Sequence, residues 1–149
     1  MLPNKINDMN EHSRSFYLLA VWVITVFTAP FIYLFATAYL DSTKLEDIYD
    51  YFTLLTAMLA FGAMLSIPAL GLFYVADAGI RRLKLPVLLQ KTALSVAGIG
   101  LIILSFFALD QKYFLNRSAY SLFLPGSYAI VLVTAIFLVK MKDETIDKL

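Results

Sequence analysis

The chain reads as an all-α integral membrane protein: four transmembrane helices in an up-down-up-down bundle with both termini cytoplasmic. Three observations point there. Four long apolar stretches fill most of the 149 residues, at about 16–40, 52–76, 86–109 and 119–139. No Asp or Glu lies inside any of them. Hydrophobic residues make up 60% and charged residues 15%, against roughly half and a quarter in soluble domains.

Each stretch is long enough to span. A helix needs about 20 apolar residues to cross some 30 Å of hydrocarbon, and the first two have residues to spare, which predicts tilt. Helix is required because an unpaired backbone group in lipid costs several kcal/mol. The first run is too long for the core of a cleavable signal and reads as a retained anchor. The connectors at 41–51, 77–85 and 110–118 are short, so consecutive helices should lie antiparallel, forming one domain over 1–149.

Orientation follows from the basic residues. Lys5, Arg14, Arg81, Arg82, Lys84, Lys91, Lys140, Lys142 and Lys148 fall on one side, and Lys44, Lys112 and Arg117 on the other. Nine against three places both ends in the cytoplasm, in a plasma membrane (the inner membrane if the cell is bacterial). Tyr39, Tyr49, Tyr51, Tyr113 and Tyr120 mark the outer boundary, and Phe16, Tyr17 and Tyr74 the inner one.

Composition also excludes. The chain has no cysteine, so disulfide, thiol and thiolate-metal chemistry are absent. Its one histidine, His12, precedes the first stretch, which removes a haem held by two histidines of this chain. No nucleophile–base pair, phosphate loop or metal cluster is legible, so neither catalysis nor a cofactor or metal is expected. A net charge of +1 gives no support for nucleic-acid binding. Proton-coupled antiport wants a carboxylate at membrane depth. Asp77 and Asp110 fall instead at span ends, where water is expected to reach them, with Asp77 and Arg81 spaced for an exposed helix-end ion pair.

The remaining candidates are few. Lys91 is the one cation inside a span; its stem is long enough to carry the ammonium back to the headgroups from so near the helix start. Lys91, Ser95, Gly98, Ile102 and Ser105 share a face, suited to close helix packing or a polar path. Thr25, Ala29 and Ala36, with Thr56, Ala60 and Ala63, are the expected facing residues. Pro30, Pro68 and Pro125 should kink their helices. Glu46, Asp47 and Asp50 on the outer connector, and Arg81, Arg82 and Lys84 on the inner one, are candidate docking points for a partner. The sequon at Asn116 sits too close to the membrane to be used.

The function expected from these residues is non-catalytic. The chain reads as an accessory or scaffold subunit of a larger membrane assembly, in contact with the bilayer and with other integral membrane proteins or copies of itself. Two other classes fit the same pattern. One is a small oligomeric channel, carrier or pore-forming protein. The other is a membrane immunity protein that neutralises a toxin.

Overall fold

The computed structural model describes residues 4–40, 48–109 and 119–140. It is all-helical, with no strand among those residues. The elements are α1 (Asn4–Leu40), α2 (Ile48–Arg82), α3 (Val87–Leu109) and α4 (Ala119–Leu138). The first two run well beyond the apolar stretches that predict them, at the basic end. In α2 the chain stays helical through Arg82, so the inner connector shrinks to the four residues from Leu83 to Pro86.

Two helical segments, Arg14–Ala38 and Val87–Ala108, are long and apolar enough to cross a membrane. The two halves of α2, Tyr49–Met64 and Ser66–Arg82, qualify together across a bend of 44°. Phe123–Leu138 in α4 is shorter. Pro68 accounts for the bend: its ring clashes with the carbonyl four residues back, that of Met64, where the first half ends. Pro30 and Pro125 lie buried inside helices assigned without interruption.

The helices form a ring. α1 packs on α2, α2 on α3, α3 on α4, and α4 closes back on α1. Neighbours run antiparallel, as the contacts of Arg14, Ser15 and Tyr17 in the N-terminal half of α1 with the last turns of α2 and α4 require. Diagonal pairs scarcely meet. The dry core sits toward the end that carries the α2–α3 turn, where Tyr17, Leu18 and Val21 of α1 meet Phe73, Leu94, Leu132, Ala135 and Ile136. In lipid these contacts stabilise through close van der Waals packing rather than through release of water.

Gly98 lets the backbones of α3 and α4 approach. A methyl group there would collide with Leu132 and come within 3.2 Å of Phe73. At the turn between α2 and α3, Lys84 has φ 48°, the left-handed conformation that ends many helices and that glycine adopts most cheaply. The amides of Leu83 and Lys84 bond back to the carbonyls of Ile80 and Arg81, which closes the last turn of α2.

Candidate functional site: a polar clasp below an apolar cavity

At the end holding the α2–α3 turn, polar side chains join all four helices. Arg14 lies two positions before the apolar run of α1, and Asp77 directly follows that of α2. Antiparallel packing therefore brings them to one level. The Arg14 guanidinium donates from Nε to both Asp77 oxygens at 3.2 and 3.1 Å, and from Nη2 to Oδ1 at 2.8 Å. Its Nη2 also donates to Gln90 Oε1 of α3 at 2.8 Å. Gln90 in turn donates to the Leu85 carbonyl in the turn at 2.7 Å. Arg81 adds a second cation, its Nε 3.2 Å from Asp77 Oδ2.

This corrects the expected setting of Asp77. The residue is 0% exposed, so water does not reach it. Its pairing with Arg81 across one turn exists, but Arg14 is its closer and more numerous partner. The reason is geometric: α2 continues past Asp77, and α1 lies across it.

The clasp extends to α4. A helix leaves its last carbonyls without amide partners, and here other helices supply them. Tyr17 of α1 donates its hydroxyl to the Ile136 carbonyl at 2.9 Å. Lys91 of α3 donates to the Val139 carbonyl at 3.3 Å, just past the end of α4. Lys91 is 4% exposed, so its stem does not run out to the surface as expected of it. A cation at a helix C-terminus is also favoured by the helix dipole. Tyr74 completes the set by donating to the Ser15 carbonyl at 2.8 Å.

Beyond the core, the ring lines a half-open cavity of about 440 Å³. Its walls come from all four helices, and on α2 they follow a stripe through Leu54, Met58, Gly62, Ser66, Ala69 and Phe73. The α2 bend falls midway along that stripe. Of the expected polar face, Gly98 and Ser105 line this cavity, whereas Ser95 is buried and donates to the Lys91 carbonyl. Thr25 lines the cavity and Ala29 is buried, as inward-facing residues would be. Thr56 and Ala60, however, are exposed. The inward face of α2 is rotated from the one expected, because Gly62 and Ser66 rather than Thr56 and Ala60 take the interior.

The docking candidates scatter. Asp50, Arg81, Arg82 and Lys84 are exposed, with Arg81 also tied to Asp77. Glu46, Asp47, Asp110 and the sequon at 116–118 lie outside the described residues. No group of three potential metal ligands occurs among the described residues. Sequence reading passed over Arg14, Gln90, Trp22 and Tyr128. Arg14 had a legible signal, a cation flanking the first span on the side where Asp77 flanks the second; Gln90, inside the third stretch, and the aromatics had none. Compared with family models, curated proteins and solved structures, the chain finds no match, so its reading rests on its own residues.

Proposed function

We propose that this chain is a non-catalytic, four-span membrane protein with both ends cytoplasmic, acting as an accessory or scaffold subunit that packs against other membrane proteins. The observation that carries the reading is a stripe on α1. Phe27, Phe31 and Phe35 recur at four-residue steps on one face and are exposed, Phe35 at 80%. Phe16 extends the exposed aromatic surface toward the helix start. Aromatic side chains are enriched at protein–protein interfaces, where each buries a large area. The clasp supports the same reading: Arg14, Asp77 and Lys91 are engaged in holding helices together.

Two experiments test it. Reporter fusions at the connectors should place both termini and the α2–α3 turn in the cytoplasm; termini on opposite faces would refute the four-span topology. Mild-detergent purification followed by mass spectrometry should recover a defined set of membrane partners. Replacing Phe27, Phe31 and Phe35 together by Leu preserves hydropathy and removes the rings. Partner recovery should then fall at least several-fold while insertion is unchanged. Undiminished recovery would make the stripe a lipid-facing surface only.

A further inference from the structure

The cavity between the helices is walled almost entirely by carbon, yet its polar groups are not all satisfied in the same way. Thr25, Ser66 and Ser105 spend their hydroxyl protons on carbonyls of their own helices, those of Val21, Ala63 and Leu101. Tyr128 differs: its hydroxyl bonds no described residue. Trp22, also in the wall, has a buried indole N–H with no hydrogen-bond partner. A buried donor such as the Trp22 N–H is rarely left in this state, since it costs about 1–3 kcal/mol unmade.

The surroundings of Tyr128 keep its hydroxyl where it is. Its ring meets Phe106 edge to face, with centroids 5.8 Å apart and an interplanar angle of 61°. Gly62 of α2 lies against that hydroxyl, where a methyl group would come within 2.9 Å of it. Glycine leaves the hydroxyl room that a larger residue would take. Water is a poor filler for such a space, because an ordered water needs two to four polar partners and apolar cavities stay dry. At about 440 Å³ the volume falls within the range of small-molecule sites, which are mostly apolar with a few placed polar groups.

We propose that this cavity binds a neutral, lipid-soluble molecule whose hydrocarbon body fills the space and whose carbonyl oxygen accepts a hydrogen bond from Tyr128. No charged side chain lines the cavity, so a charged ligand would lose its hydration without compensation. Depth narrows the class further, and this step rests on the four-span reading. Tyr128 lies nine residues into α4, about 14 Å along its axis at 1.5 Å per residue, near the middle of the hydrocarbon layer. A phospholipid's ester carbonyls are held at the interface by its headgroup. A neutral acyl ester or an isoprenoid quinone carries its carbonyl to the required depth.

Trp22 is the chain's one tryptophan, so its fluorescence reports on the cavity. The full chain in mild detergent is titrated with dibrominated methyl stearate, whose bromines quench indole emission. Quenching should saturate. Ala69→Phe, which fills the cavity from α2, should leave only weak, linear quenching, with helical content by circular dichroism unchanged. Tyr128→Phe should weaken the ester's apparent affinity roughly five- to tenfold, the equivalent of one hydrogen bond, while dibrominated octadecane binds both proteins alike.

A short-tailed isoprenoid quinone then distinguishes the sources. Displacement of the ester at lower concentration than unbrominated methyl stearate requires identifies a quinone, and weaker displacement an acyl ester. Linear quenching of the wild-type chain, or Tyr128→Phe binding the ester as tightly as wild type, overturns the proposal. A chain that stays monodisperse in water without detergent refutes the membrane reading instead, and leaves the quenching readout intact.

Discussion

Arg14 and Asp77, 63 positions apart in sequence, meet through three donor–acceptor contacts, the shortest 2.8 Å. Their side chains are 11% and 1% exposed, so the pair is held away from solvent. Removing one member of such a pair strands the other charge. Asp77→Ala should therefore destabilise the chain by about 3–5 kcal/mol, measured by thermal or denaturant unfolding in detergent. The double variant Arg14→Met, Asp77→Leu should cost much less than the sum of Arg14→Met and Asp77→Leu made singly. Simple additivity would mean that the two groups do not depend on each other.

The ammonium of Lys91 closes the end of α4 at Val139. Lys91→Met keeps the stem and removes the charged donor, which should cost about 1.5–3 kcal/mol. Hydrogen exchange at the last turn of α4 should rise with it. Unchanged exchange there would detach the lysine from the helix end.

Close packing at Gly98 is equally open to test. Gly98→Val drives atoms into Leu132 and should cost about 1–3 kcal/mol through overpacking. Adding Leu132→Ala should restore part of that loss. Failure of the second change to help would place the strain elsewhere.

The turn offers the opposite sign. Lys84 holds a left-handed backbone that costs a side-chain-bearing residue about 1 kcal/mol relative to glycine. Lys84→Gly should raise stability by an amount of that order, and the same variant measures how much Lys84 contributes to any partner at the basic connector. A loss of stability would show that its side chain holds the turn.

Much of the helical framework was legible because hydropathy is a local property. The runs at 86–109 and 119–139 match α3 and α4 to within a residue at each end. The inward face of α2 was not. Its apolar residues go nearly all round, so no moment distinguishes the side bearing Thr56 and Ala60 from that bearing Gly62 and Ser66; only contact with α1, α3 and α4 does. Asp77 was misjudged for a related reason. A carboxylate at the edge of an apolar run reads as solvated, and nothing local says that Arg14 of another helix will cover it. The cavity at Tyr128 was invisible, since a void is a property of four helices at once. Of the three prolines expected to kink their helices, Pro68 is the one at a bend of 44°, since its ring clashes with the carbonyl of the preceding turn.

The closure of the ring through α1 and α4 sets an order on biosynthesis. The first of these helices leaves the ribosome early, yet its most extensive neighbour is made only after α2 and α3. Until α4 emerges, the Tyr17 hydroxyl has no Ile136 carbonyl to reach and the Lys91 ammonium no Val139. A nascent chain halted after α3 is therefore an open arc with these contacts unmade, and only the twenty residues of α4 close it into a ring.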